Sequence, residues 1–358
     1  MFLKARPWLA GLLALALVGC LSVGAGRRRD YWPTRGWKQS EPSAQGLDAQ
    51  VLQGLEAYIP GNLPRTSSLL VVRHGHIVYE RYFQGDQDTP RTLWSVTKSV
   101  LSTLIGIALA EGRIRSLDQA MLDFFPELAG RPLNPEMRRI TLRHLLTMSD
   151  GMSREGLDFL LTEGKLPVPL RHEPGAEFYY NSVSPQILSI ILTRATGLKA
   201  RDFAMRRLFQ PLGISEVRWF QMNGHNLGAS GLELTTRDLA KLGLLYLHEG
   251  RWGGRQVVPP DWIAEATRPH IRVPRSAEFI ALTGPYFVDQ YGYYWWVRPR
   301  QNPPAYMAQG YGGQFLYVIP ELDLVAVITA NDQDSKENLH ALGYLALIDD
   351  YIVPAVVR

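Results

Sequence analysis

The chain has 358 residues, 46% hydrophobic and 20% charged, with 32 Gly, 24 Pro, 9 Trp, 16 Tyr and 12 Phe. Enough apolar material is present for a large catalytic domain, and disordered, collagen-like and mucin-like classes are excluded. A single cysteine excludes a disulfide scaffold, a cysteine zinc site and an iron–sulfur centre, and a net charge of +4 with Arg27-Arg28-Arg29 as the one basic cluster leaves no footprint for nucleic acid. Lys4 and Arg6 precede an almost wholly apolar run over residues 8–18, which reads as a secretory signal too short to span a membrane.

That run closes on Leu17-Val18-Gly19-Cys20, which resembles the lipobox of bacterial lipoproteins. The resemblance implies a signal peptide over residues 1–19, lipid on Cys20, and a membrane-anchored protein on the periplasmic side of a bacterial membrane. Residues 20–46, rich in Arg, Gly, Pro and Ser, then act as a tether to a domain over 47–355. The plainer alternative is a signal peptide cut near Gly24 to Gly26, leaving a soluble periplasmic or secreted chain.

Residues 47–60 carry Leu52, Leu55 and Tyr58 at helical spacing before Pro60, and 67–72 and 76–83 form a hairpin about His74-Gly75. Helices are expected over 95–111, over 141–148 with Thr141 as cap, over 184–196 before Gly197, over 199–208 and over 236–247. The period then changes to two, predicting strands at 291–297, 314–319 and 324–329, and a helix closes the chain over 335–353. Strands at both ends with helices between them predict an α+β fold. One antiparallel sheet is flanked by helices and carries a mostly helical insert, roughly 113–290.

Within the helix over 95–111, Ser95 and Lys98 lie one turn apart and share a face. A lysine in the first turn of so apolar a helix is costly unless it has work or partners. Burial disfavours the ammonium, which suits a lysine to act as a base, and a helix N-terminus offers N–H groups to a developing oxyanion. The bland reading is Ser95 as an N-cap and Lys98 reaching out to water. Further on, Tyr179-Tyr180-Asn181-Ser182 places two phenols before a helix, and a phenol near an amine can relay a proton; one of the two must be ordinary packing. Ala308-Gln309-Gly310-Tyr311-Gly312-Gly313 precedes a strand, where glycines permit close approach of backbone to a ligand or simply make a bend.

Taken together, these segments resemble the serine β-lactamase-like superfamily over roughly residues 45–354. The likeness is to the branch holding class C β-lactamases, esterases and 6-aminohexanoate-dimer hydrolases. Ser95-Val96-Thr97-Lys98 is similar to its first motif. Arg143 to Gly151 (RHLLTMSDG) and Ser230 to Asp238 (SGLELTTRD) are similar to two of its intervening phrases. The resemblance implies β-lactamase/transpeptidase architecture and an acyl-enzyme on Ser95, with Lys98 and Tyr180 handling protons. The oxyanion would sit between the backbone N–H groups of Ser95 and Tyr311. Tyr179, Asn181, Ser182, Gln309, Gly310 and Gly312 are secondary candidates.

Two departures matter. Counting from Pro174-Gly175 in phase with the next helix assigns the phenol to Tyr180 and puts Ser182 where the family has asparagine; the competing frame uses Tyr179 and keeps Asn181. The third motif, a Lys-Thr-Gly in the lactamases, is here Ala308-Gln309-Gly310, which lacks a cation for a substrate carboxylate. That favours a small-molecule ester or amide substrate over β-lactams and D-Ala-D-Ala peptides, with a decayed binding lipoprotein as the remaining alternative. No cofactor or metal is implied: His74 and His76 share a strand face, but no third ligand follows at metal-binding spacing. Loop aromatics Phe159, Trp219, Phe220, Phe279, Tyr286 and Phe287 point to an apolar acyl or aryl pocket, and most of them could equally be ordinary core.

Overall fold

The computed structural model describes residues 31–357 except 155, 157–169, 276–285, 287 and 332–339. Cys20, the signal segment, Phe159, Phe279 and Phe287 lie outside the described residues. Residues 31–46, within the expected tether, pack on the body. Trp37 Nε1 donates to the Arg237 carbonyl at 3.2 Å, Trp252 Nε1 donates to Thr34 Oγ1 at 2.8 Å, and Trp32 packs against Trp252.

Helix α1 (Ala49–Asn62) is capped by Asp48, whose carboxylate accepts from the Gln50 and Val51 N–H groups. It runs two residues past Pro60, because the carbonyl the proline leaves unpaired belongs to the exposed Glu56 and can turn to water. Strands β1 (Thr66–Arg73) and β2 (His76–Tyr82) follow, then the short β3 (Arg91–Thr92) and the core helix α2 (Val96–Ala110). Between α2 and the C-terminal strands come α3 (Leu142–Leu146), α4 (Val183–Thr196) and α5 (Ala200–Ala204). Next are β4 (Arg218–Trp219), the ribbon β5 (Gln221–Met222) with β6 (His225–Asn226), and β7 (Leu232–Leu234). Helix α6 (Thr236–Leu247), the ribbon β8 (Arg251–Trp252) with β9 (Arg255–Gln256), and α7 (Pro260–Ala266) complete this part. Thr141 caps α3 in a reciprocal box with His144, and Gly197 ends α4 in the left-handed region.

The late strands are β10 (Ile271–Arg272), β11 (Gln290–Tyr291), β12 (Trp296–Arg298), β13 (Ala305–Gly310), β14 (Gln314–Ile319) and β15 (Leu324–Ala330). With β1 and β2 they make one antiparallel eight-stranded sheet, in the order β10-β11-β12-β13-β14-β15-β1-β2. This joins both chain ends in one sheet, as expected. Period two is visible in the central strands. Leu70 and Val72 of β1 and Val325 and Val327 of β15 face the core shared with α2, α4 and α6. Leu69 and Val71, with Ala326 and Ile328, face a second core under α1 and the C-terminal helix α8 (His340–Ala346). A strand covered on both faces is apolar throughout.

Two expectations change. The single strand over 291–297 is instead two strands, Tyr291 pairing with Trp296 around a tight turn in which Tyr294 takes φ +63°. All the aromatic residues of the turn are buried, so its hydrophobicity mimics a strand. The Gly-rich lead-in at 308–310 is the end of a strand, β13, that pairs with β14 from Tyr306 to Gly310. Among the described residues no helix is long and apolar enough to cross a membrane.

Candidate active site

The chain turns sharply from β3 into α2 at Trp94, which takes φ +47°. Left-handed backbone costs a bulky L-residue about 1–2 kcal/mol, so the corner must be held by its surroundings. Ser95 follows as the N-cap residue, but its side chain makes no cap bond to the helix. Its Oγ instead accepts from Lys98 Nζ at 2.7 Å. Lys98 is 1% exposed, and Nζ also donates to the Ala229 carbonyl at 3.1 Å. No carboxylate among the described residues pairs with it. The bland expectation of a lysine reaching to water is therefore not met. The Ser95 N–H donates to no acceptor among the described residues.

The Ala229 carbonyl is delivered by the loop between β6 and β7. Gly228 packs so closely there that an added Cβ would stand 1.9 Å from the Pro185 carbonyl oxygen, and its N–H donates to Gln186 Oε1 at 2.9 Å. Leu93 N–H donates to the Leu232 carbonyl at 2.9 Å, tying this loop to the corner before Ser95.

The two tyrosines part company. The Tyr180 ring faces Lys98, with Nζ 4.9 Å from its centroid, and stacks on Trp296 at 5.8 Å. Its hydroxyl makes no hydrogen bond to Ser95 or Lys98. Tyr179 packs between guanidinium groups, Arg171 Cζ at 4.6 Å and Arg154 Cζ at 5.4 Å from its centroid, and its N–H donates to the Met148 carbonyl. Asn181 is buried and turned to the start of α4: Oδ1 accepts from Ser184 N–H at 2.8 Å and Nδ2 donates to the Tyr179 carbonyl at 3.1 Å. Ser182 is the N-cap residue of α4, without a side-chain cap.

The end of β13 lies beside the same corner. An added Cβ on Gly310 would stand 2.4 Å from the Leu93 carbonyl oxygen, so only glycine lets β13 approach. Gln309 is half-buried and pairs with Phe315. The Tyr311 ring meets Trp94 edge-on at 5.6 Å, and Gly312 (φ +74°) turns the chain into β14.

Several neighbours were not picked out as site residues, although Asp150 lies within the Arg143 to Gly151 stretch. Asp150 is fully buried; its Oδ1 accepts from Met152 N–H at 2.9 Å and its Oδ2 lies 2.6 Å from Ser184 Oγ. Burial pushes its carboxyl up to about 6 against the lowering effect of these bonds. Ser99, one residue past Lys98, donates to the Tyr294 carbonyl at 2.6 Å. The described loop aromatics lie away from the site, Trp219 meeting the core alternative. Trp219 is core, Phe220 is exposed and Tyr286 bonds Asp350, whereas Phe178, Tyr291 and Trp296 surround Tyr180. His74 and His76 hydrogen-bond Gln45 and the His74 carbonyl respectively, at the β1–β2 hairpin.

A helix-covered antiparallel sheet with a buried lysine on a serine at the head of its core helix is a serine-hydrolase arrangement. The chain belongs to the β-lactamase family, whose family model matches residues 64–350. It is 25% identical over 359 residues to the 6-aminohexanoate-dimer hydrolase of Paenarthrobacter ureafaciens, covering 90% of this chain and 88% of that one. It is 28% identical over 213 residues to an esterase of Burkholderia gladioli, covering 49% of this chain and 54% of that one. A solved β-lactamase structure from Mycobacterium bovis shares the fold with a TM-score of 0.61 at 18% identity, covering 84% of this chain and 99% of that one.

Proposed function

We propose that the protein is a serine acyl-hydrolase acting on esters and small amides. The carrying observation is the 2.7 Å contact of Lys98 Nζ with Ser95 Oγ at the head of a buried helix, with no acid among the described residues to occupy the lysine. The Lys98 amine takes the Ser95 proton as Oγ attacks the substrate carbonyl. The tetrahedral oxygen is held by the backbone N–H groups of Ser95 and Tyr311. The proton passes by way of Tyr180 to the leaving alcohol or amine, and water then cleaves the acyl-enzyme with the same groups returning the proton to Ser95. Ser95→Ala is expected to abolish p-nitrophenyl ester turnover and labelling by a fluorophosphonate probe while the protein stays folded; unchanged turnover in a clean preparation refutes the assignment.

A second reading, β-lactamase or D-Ala-D-Ala carboxypeptidase activity, draws support from the family description and from the solved β-lactamase neighbour. Against it stands Ala308-Gln309-Gly310, which offers no cation at the strand edge beside Ser95. Loss of such a partner discriminates strongly against a substrate that needs it. Short-acyl esters are expected to turn over fastest, small amides next and β-lactams slowest; cephalosporin hydrolysis matching the best ester reverses the order of the two readings. The contact of Ser95 with Lys98 weighs against a decayed binding module.

We also infer that Cys20 carries lipid and holds the domain over 47–355 at the periplasmic side of a bacterial membrane. Intact mass of the native protein is expected to lack residues 1–19 and to carry a diacylglyceryl increment, whereas a mature chain starting beyond Cys20 removes the anchor.

A further inference from the structure

Among the described residues four large hydrophobic side chains are well exposed, and two of them stand together on one ribbon. Phe220, 58% exposed, and Met222, 43% exposed, lie two positions apart where β4 runs into the β5–β6 ribbon, whose tip is the left-handed pair Asn223-Gly224. Trp219 instead turns into the core and donates from Nε1 to the Leu227 carbonyl at 2.8 Å, which fixes the ribbon to the body. Cations frame the apolar pair. Arg218 is exposed and meets Glu233 only at 3.9 Å, and Lys199 Nζ donates to Gln221 Oε1 at 2.8 Å, which holds an ammonium beside the ribbon. An exposed apolar tip framed by cations has the chemistry of a surface that meets the headgroups of an anionic bilayer.

The tether is what brings a bilayer within reach. Ten residues, Leu21 to Asp30, separate Cys20 from Tyr31, and the gap they bridge is at most about 40 Å even when fully extended. The residues that follow are fixed beside the base of β4. Thr34, Gly36 and Arg218 line one surface cavity, and an added Cβ on Gly213 would stand 1.9 Å from the Thr34 carbonyl oxygen. We propose that the tip of the β5–β6 ribbon is a membrane-contact element that seats the anchored domain on an anionic lipid bilayer through Phe220 and Met222. This rests on the lipid on Cys20 inferred above. Two apolar side chains hold a free protein on a bilayer only weakly, but on an anchored chain the contact is intramolecular and a weak one suffices. The seat also fixes the reaction site. The Leu93 and Phe220 N–H groups donate to the adjacent carbonyls of Leu232 and Gly231, so the corner before Ser95 and the start of the ribbon flank one strand, about 10 Å apart across it. Ser95 is thereby held close to the lipid surface.

The test uses the full native chain, its lipid checked by intact mass, reconstituted in vesicles of phosphatidylethanolamine and phosphatidylglycerol. A lipidated Cys20 is a thioether, so a cysteine introduced by Met222→Cys is the single thiol to label with a fluorophore. The reference label is carried by Gln53→Cys, exposed on α1 across the sheet from α2. Quenching by a nitroxide-bearing phospholipid is expected to be about threefold or more stronger at position 222 than at 53, because contact places the first label in the headgroup layer. Adding Phe220→Asp should remove most of that excess, and raising salt to about 0.5 M should remove part of it. Equal quenching at the two positions, or an excess untouched by Phe220→Asp, in a chain that carries the lipid overturns the ribbon's role alone. A label at 222 that is shielded from aqueous iodide in proportion to protein density, yet not reached by the lipid quencher, assigns the face to a second copy of the chain and overturns it as well. A native chain without lipid on Cys20 overturns the anchor reading, and the seat that depends on it falls with it.

Discussion

Two helices of this fold carry a buried lysine three residues after a polar side chain that it binds, and the two partners differ. In the second turn of α6, Lys241 stands three residues after Asp238, donates to its Oδ1 at 2.9 Å and to the Gly213 carbonyl at 3.1 Å. At the start of α2, Lys98 stands three residues after Ser95 and donates to a hydroxyl and a carbonyl. Lys241 has an acid beside it, and Lys98 has none among the described residues. Removing one partner of a buried ion pair costs stability, whereas the lysine on Ser95 is the one proposed above to serve the reaction. The comparison turns on the side chain at i−3, a carboxylate in one helix and a hydroxyl in the other.

The largest effect that could break this comparison is at Lys98. Lys98→Met should lower ester turnover by ~1000-fold, as removal of a base acting on the nucleophile does. Its melting temperature should hold or rise, because a buried amine with no acid beside it among the described residues is replaced by an apolar group of similar length. A well-folded Lys98→Met enzyme with near-normal kcat would make the two lysines equivalent after all. Next in size is Tyr180→Phe, expected to cost ~100-fold, with Tyr179→Phe expected to cost little in kcat on a neutral ester. Equal losses in the two would mean that the ring facing Lys98 is wall rather than relay. Lys241→Met should do the reverse of Lys98→Met. It leaves the Asp238 carboxylate, 16% exposed, without its partner, and should cost about 1–3 kcal/mol in denaturant unfolding.

The pattern of these residues explains what the sequence could tell. Ser95 and Lys98 were legible because a helix places i and i+3 together whatever the tertiary structure. The sheet was legible from period two in β14 and β15. The frame that favoured Tyr180 over Tyr179 came from the phase of α4, and it is the Tyr180 ring that faces Lys98. What was not legible depends on partners far along the chain. The Ala229 carbonyl lies 131 residues from Lys98, and a backbone acceptor has no residue-type signature. The turn at Gly292 to Trp295 hid in an aromatic run, because buried turn residues and buried strand residues have the same composition. Arg154 and Arg171 meet on Tyr179 only through folding, and in the sequence they are two among 38 basic residues.

Asp150 is a buried acid with no cation hydrogen-bonded to it among the described residues, and the effect expected there shows only as pH changes. Ser184 Oγ lies 2.6 Å from Asp150 Oδ2 and 2.8 Å from Asn181 Oδ1 but owns one proton. When Asp150 is protonated it can donate to Ser184, which then donates to Asn181, and every polar atom in the chain is served. When it is ionised, Ser184 must turn to the carboxylate, and Asn181 Oδ1 keeps only the Ser184 N–H. The folded-state value of about 6 lies above the ordinary 3.8, so the stabilising contribution is full below about pH 4 and is lost as pH rises through 6. The shift corresponds to about 3 kcal/mol at most. Asp150→Asn should mimic the protonated acid, its Nδ2 donating to Ser184 and its Oδ1 accepting from Met152. The variant should therefore match the wild type in unfolding free energy at pH 4 and exceed it increasingly up to pH 7. Depressed carboxylates such as Asp118 and Glu80 give both proteins the opposite trend, so the difference between the two curves is the quantity to read. Parallel curves from pH 4 to 8 would mean that Asp150 ionises inside the fold at no cost, and that the hydroxyl chain through Ser184 is not what holds the start of α4 in place.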